Sequence, residues 1–185
     1  MVAPKSGFCC FGPSFFSSAA FILSIFANSR CNLVSISEDN PLDKLSVNNL
    51  GLWCYEESGS GYLWSTENIE GDAKFEASRG LGTATMALGF CVWLFYCFAG
   101  CFRFGPRAFQ AAGLFCLICC ILQSLVFLVF QSGVCAGGCG IGVGGQCGIA
   151  AAVLWFFASI FSCGVGKEVA AARKAEEPQD AQDAA

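Results

Sequence analysis

The sequence predicts an all-α membrane protein, a four-helix transmembrane bundle with a small extracellular β-sheet in the first loop. Three observations support this fold class. The 185 residues are 55% hydrophobic and only 13% charged, whereas average chains carry about 25% charged residues. The apolar residues gather in four stretches near the length of about 20 residues that crosses a bilayer. The polar segment between the first two stretches contains two short aromatic runs typical of strands.

The four apolar stretches are the predicted membrane spans. They cover residues 13–30, 80–102, 108–131 and 148–166. The second and third contain no formal charge, and the fourth stops at Lys167. The first span has an alternative interpretation as a cleaved signal peptide, because Phe15 to Phe26 is a plausible apolar core and Ala27 to Ser29 are small enough for a cleavage site.

Basic residues near the span ends predict the orientation of the chain. With both termini in the cytoplasm, six basic residues lie inside and four outside, counting Arg30 at the outer end of the first span, as the positive-inside rule favours. The short link between the second and third spans is basic and carries no acid. The predicted cytoplasmic segments are the N-terminus 1–12, the loop 103–107 and the tail 167–185, and the predicted extracellular loops are 31–79 and 132–147.

The first outer loop is the largest soluble segment, and it is acidic. It contains nine acidic residues and only three basic residues. The acids are Glu38, Asp39, Asp43, Glu56, Glu57, Glu67, Glu70, Asp72 and Glu76. The runs Leu50 to Tyr55 and Gly61 to Ser65 are predicted strands joined by a Gly/Ser turn. So short a segment needs the helix ends or a disulfide for support.

Composition limits the function classes. The sequence contains no histidine, which excludes histidine general bases, Ser-His-Asp and Cys-His nucleophile systems and histidine metal sites. A net charge of −4 and a pI near 4.7 argue against a nucleic-acid partner. We therefore predict a non-enzymatic protein without cofactor or metal. Its predicted partners are the lipid bilayer and other membrane proteins or itself, through lateral packing of small residues such as Gly80 with Ala84.

The expected role of each of the 14 cysteines depends on its position in the sequence. Cys31 and Cys54 are the two cysteines of the first outer loop and are predicted to pair, with two free thiols or pairing to the second loop as the alternatives. The second loop adds three disulfide candidates, Cys135, Cys139 and Cys147, of which one must remain for a thiol or another bridge. Candidates for palmitoylation at cytoplasmic helix ends are Cys9, Cys10 and Cys101.

Two short patches resemble a known family. Gly51-Leu52-Trp53-Cys54 resembles the G-L-W-x-x-C signature of the claudin and peripheral myelin protein superfamily, and Arg79 is similar to the arginine that precedes the second helix in claudins. The four-span layout resembles the same plan over residues 10–166. The chain departs from it because Cys54 follows Trp53 directly and no second cysteine follows in that loop. A Cys31 to Cys54 bridge would replace the intraloop disulfide of the family.

The resemblance implies a left-handed bundle with a small extracellular sheet. Gly51, Leu52, Trp53 and Arg79 would anchor that sheet near the membrane surface. The predicted function is membrane organisation, adhesion or partner assembly through the acidic first loop, at the plasma membrane or in the endomembrane system. The alternative is a cation-selective pore or accessory channel subunit, in which the acids attract cations at an outer vestibule.

Overall fold

The computed structural model describes residues 11–36, 47–57, 60–63, 72–99, 102, 104–135 and 138–183, with backbone alone at residues 57, 173 and 175–183. Four helices dominate these residues. They are α1 (Phe11–Ser29), α2 (Ala73–Ala99), α3 (Pro106–Leu125), which continues as a 3-10 segment (Val126–Gln131), and α4 (Val143–Asp183). Each is long and apolar enough to cross a membrane, when α3 is counted together with its 3-10 segment.

The helices α4 and α2 extend furthest beyond the predicted spans. The helix α4 continues to Asp183, past the predicted end of its span at residue 166. The helix α2 begins at Ala73, seven residues before the predicted start of its span at residue 80. The additional turns are polar, so hydropathy alone does not mark them. Asp72 begins the helix, because its carboxylate accepts hydrogen bonds from the backbone N–H groups of Lys74 and Phe75, as an N-cap residue does.

The bundle buries small and polar side chains and exposes large apolar ones. Its helices pack in a closed ring, with α4 against both α1 and α3, and α2 against both α1 and α3. Trp155 is fully buried at the centre, and its indole N–H donates to the hydroxyl of Ser24 at 3.1 Å. The Tyr96 hydroxyl is hydrogen-bonded to Ser162. Many phenylalanine and isoleucine side chains point outward. This distribution suits helices that associate within lipid.

A five-stranded antiparallel sheet lies at one end of the bundle. Its strands are β1 (Val34–Ile36), β2 (Val47–Leu50), β3 (Cys54–Glu57), β4 (Ser60–Leu63) and β5 (Cys139–Ile141), in the order β4-β3-β2-β1-β5. The predicted run from Leu50 to Tyr55 is not one strand, because a turn over residues 51–53 separates β2 from β3. The prediction of a sheet confined to the first loop is also incomplete, because β5 comes from the second.

The fifth strand joins the two loops. Ser35 of β1 is the register partner of Gly140 of β5, and Val34 is the partner of Ile141. Beneath this part of the sheet, Leu33, Leu52 and Phe75 are fully buried in a cluster with Val126 and Val129 of the 3-10 segment. The sheet thus shares a hydrophobic core with the ends of the helices.

Candidate functional site

Arg79 connects the sheet to α2. Its side chain is 11% exposed, and its Nε–H donates to the backbone carbonyl of Leu52 at 2.6 Å. The guanidinium carbon lies 5.2 Å from the ring centroid of Trp53 and 4.9 Å from that of Phe75, within the range of cation–π attraction. The Glu76 carboxylate adds a contact at 3.1 Å. The structure therefore brings together the four residues of the predicted anchor motif.

The turn at residues 51–53 is fixed by the close approach of two backbone segments. The N–H of Gly51 donates to the carbonyl of Cys54 at 2.8 Å. A Cβ atom at Gly51 would lie 2.8 Å from the Cα of Cys31 and closer still to the carbonyl oxygen of Arg30. A Cβ atom at Gly82 would lie 2.9 Å from the Leu52 side chain. The turn is therefore held between the end of α1 and the first turns of α2.

A disulfide between Cys31 and Cys54 reinforces this junction. The two Cα atoms lie 4.9 Å apart, and the bond ties the segment after α1 to the start of β3. This is the pairing that the sequence favours. In the second loop, Cys135 pairs with Cys139, with Cα atoms 5.4 Å apart, and Cys147 is a free, half-buried thiol. Neither pairing crosses between the loops.

A pair of polar contacts between Asp72 and Gly133 and between Lys74 and Gln131, here called the clamp, joins α2 to the second loop. The Asp72 carboxylate accepts the N–H of Gly133 at 2.6 Å, and the Lys74 ammonium donates to the carbonyl of Gln131 at 2.9 Å. Partial desolvation would raise the pKa of Asp72, but backbone N–H donors and the charge of Lys74 outweigh it. The pKa of Asp72 is therefore below its ordinary value, and its charged form stabilises the fold.

We expect the replacement of Asp72 by alanine to lower the free energy of unfolding by about 1 kcal/mol, the usual cost of losing an N-cap. The pH dependence of the stability isolates the contribution of the Asp72 charge. Because the pKa of Asp72 is depressed in the folded state, its contribution is present above pH about 4, where the unfolded carboxylate is also ionised, and is lost as the pH falls through the folded pKa.

Asp72→Asn is the matched variant for this pH dependence, because asparagine also caps helices but does not titrate. Melting curves of the purified protein in detergent, recorded from neutral to acidic pH, should show a smaller acid-induced loss of stability in D72N than in the wild type. An equal loss in both proteins would contradict the clamp.

The sheet presents large side chains to its surroundings. The exposed fractions are 46% for Trp53, 48% for Tyr62, 80% for Leu63 and 51% for Ile141. The Tyr55 and Tyr62 rings stack with centroids 5.6 Å apart. The described residues include no cluster of three or more metal-ligating side chains. The sheet thus exposes aromatic and aliphatic side chains at both of its edges and in the turn before β3.

The acids of the first loop fall into two groups. Glu38, Asp39, Asp43, Glu67 and Glu70 lie outside the described residues, as does the side chain of Glu57. The other three are engaged locally. The Glu56 carboxylate accepts a hydrogen bond from the Asn49 amide at 2.8 Å, Glu76 pairs with Arg79, and Asp72 forms the clamp. The palmitoylation candidates Cys9, Cys10 and Cys101 also lie outside the described residues.

The clamp is the part of the site that sequence reasoning missed. Asp72 carries a usable signal, since an aspartate directly before a helical segment is a common N-cap. The sequence contains no signal for the contacts of Lys74 with Gln131 and of Asp72 with Gly133. These contacts join residues that are 57 and 61 positions apart in the chain.

Comparisons of the sequence with protein-family models and with curated proteins return no match. The class of the protein accordingly rests on its fold. Four helices long and apolar enough to cross a membrane, with a small antiparallel sheet at one end, suggest a multi-pass membrane protein.

Proposed function

We propose that this chain is a claudin-like four-span membrane protein that acts without catalysis, in membrane organisation, adhesion or partner assembly. One observation carries the proposal. A sheet built from both loops exposes Tyr62 and Leu63 on one edge strand, Ile141 on the other and Trp53 in the turn before β3. Val34 and Leu50 of its inner strands are packed in the core at the helix ends. Exposed apolar groups on a supported sheet are typical of protein interaction sites, and tryptophan and tyrosine are enriched among the residues that dominate binding energy.

The support of the sheet favours a contact role. The Cys31 to Cys54 disulfide, the Arg79 hydrogen bond and the clamp connect the sheet and its flanking loops to α1, α2 and α3. A surface held in this way has little conformational freedom to lose when a partner binds, which increases affinity. In the proposed orientation the sheet lies outside the cell or in a lumen, where both disulfides are chemically stable. We place the protein in the plasma membrane, with an endomembrane location as the alternative.

The engaged acids count against the pore. Glu56, Asp72 and Glu76 each bind a different neighbour within the described part of the loop. Neutralising Glu56 and Glu57 is therefore expected to leave cation permeability unchanged in cells that express the protein. A change in permeability would favour the pore.

The contact surface can be tested by substituting its two residues on the edge strand β4. The double variant Tyr62→Ser/Leu63→Ser removes large exposed side chains without touching the buried core, so we expect normal surface expression and reduced contact with partners. The measurement is proximity labelling from the first loop, combined with aggregation of suspended cells that express the protein.

Phe102→Ser is the matched control, because Phe102 is 62% exposed at the end of the bundle opposite the sheet. We expect the control to keep the labelled partners and the aggregation of the wild type. If Y62S/L63S behaved like the wild type in both assays, or if the control lost as much as the double variant, the sheet would not be the contact surface.

A further inference from the structure

The helices α3 and α4 approach closely at the end of the bundle opposite the sheet. A Cβ atom at Gly166 would lie 3.2 Å from both the Pro106 carbonyl oxygen and the Gln110 side chain. One or two turns further into the bundle, a Cβ atom at Gly113 would lie 3.1 Å from the Cys163 sulfur. These two glycines define a seam between α3 and α4, and their contacts fix which residues lie beside it.

Two basic residues lie at the end of this seam. Arg107 shares a helix face with Gln110, three residues further along α3, and Lys167 shares a face with Cys163, four residues before it on α4. Because Gln110 and Cys163 both border the seam, Arg107 and Lys167 flank it from opposite helices. Both side chains are exposed, and neither forms an ion pair with a residue that the structure describes.

The start of α3 adds to this positive charge. Glu168 follows Lys167 but is rotated by about 100° around the helix axis. Gly105, which begins α3, provides no capping side chain. The first backbone N–H groups of α3 therefore add the positive end of a helix dipole beside Arg107.

Below the two cations the seam is bordered by apolar side chains. Leu114 lies two turns along the same face of α3 as Arg107, and Ile160 lies two turns before Lys167 on the same face of α4. They are 57% and 51% exposed, within the helices that are apolar enough to span a membrane. The seam thus presents charge at the level of lipid headgroups and hydrocarbon beneath it.

We propose that this seam binds an anionic phospholipid, with its phosphate between Arg107 and Lys167 and an acyl chain along Leu114 and Ile160. The charge complementarity selects an anionic over a zwitterionic headgroup. The apolar side chains below the charges favour a lipid over a free anion. The site is independent of what the sheet contacts, because it lies at the other end of the bundle.

Native mass spectrometry of the full chain tests this site. The protein is released from detergent that contains equal amounts of phosphatidylserine and phosphatidylcholine with the same acyl chains. We expect the wild type to retain phosphatidylserine preferentially, and Arg107→Gln and Lys167→Gln each to reduce that preference about fivefold, the effect of one basic residue near an anionic membrane surface. R107K and K167R should keep most of it, which separates loss of charge from loss of folding.

Lys174→Gln is the matched control, because it removes one exposed positive charge from α4 two turns beyond Lys167. We expect K174Q to keep the preference of the wild type. Equal retention of both lipids by the wild type, or an equal loss of preference in K174Q and K167Q, would overturn the proposal. Inorganic phosphate added as a competitor should leave the preference in place; its abolition would assign the site to a free anion and overturn the lipid site.

Discussion

Replacement of Gly51 by alanine is expected to destabilise the junction of sheet and helices by about 3 kcal/mol, the upper part of the range for overpacking. The added Cβ atom would meet the carbonyl oxygen of Arg30 and the Cα of Cys31, and both are backbone atoms that cannot rotate away. The turn at residues 51–53 must then move from α1 and carry Leu52 out of its buried position. Melting in detergent, with the disulfide intact, measures the effect.

Gly61→Ala is the matched control within the sheet. The nearest atom to a Cβ at Gly61 is the Cys31 sulfur at 3.5 Å, an ordinary van der Waals contact, so we expect a melting temperature close to that of the wild type. If G51A and G61A melted at the same temperature, the close approach of residue 51 to α1 would be incorrect.

The replacement of Arg79 by alanine is expected to cost about 2–3 kcal/mol, in the range for a hydrogen bond that involves a charged group. The variant leaves the Leu52 carbonyl without its donor and removes the cation between the Trp53 and Phe75 rings. Hydrogen exchange of the backbone amides of β2 and β3 should accelerate, because the turn between these strands loses its link to α2.

Arg30→Ala controls for the loss of a positive charge at the same end of the bundle. Arg30 is exposed and stacks on Phe26 with its guanidinium carbon 5.6 Å from the ring centroid. The exchange of β2 and β3 should be unchanged in R30A. An equal acceleration in the two variants would show that charge, and not the Leu52 contact, stabilises the turn.

The helices were predictable because long apolar stretches form a simple sequence pattern. Long uncharged stretches such as residues 80–102 can be recognised as helices from hydropathy alone. The start of α2 at Ala73 could not be recognised from hydropathy, because its first turns are polar. These turns depend on the Asp72 cap and on the packing of Phe75 beneath the sheet. Hydropathy marks the apolar part of a helix and gives no information on its polar extension.

The sheet was predictable only in part, for a related reason. The predicted pairing of two runs in the first loop is found between β3 and β4, with Tyr55 opposite Tyr62. The strand β5 was missed because Cys139–Ile141 is short, contains a glycine and pairs with a strand about a hundred residues earlier. Local pattern cannot indicate such a long-range partner.

The anchor residues were identified through the resemblance of Gly51 to Trp53, and of Arg79, to a family pattern. Their physical roles came from the structure. Gly51 allows two backbone segments to approach, Leu52 fills the core beneath the sheet, and Arg79 binds the carbonyl of Leu52. The clamp could not be predicted from the sequence because both of its contacts join segments that are distant in the chain.

The two loops form one sheet, and the pairing of β1 with β5 tests this architecture most directly. Ser35 and Gly140 are register partners, so the double variant S35C/G140C should form a disulfide between these positions that mass mapping detects in freshly isolated protein. Asn49 pairs with Ser35 from the other side, so N49C/G140C places its thiols on strands that are not adjacent and should not form this bridge. Free thiols in S35C/G140C, or equal bridging in both variants, would contradict the single sheet.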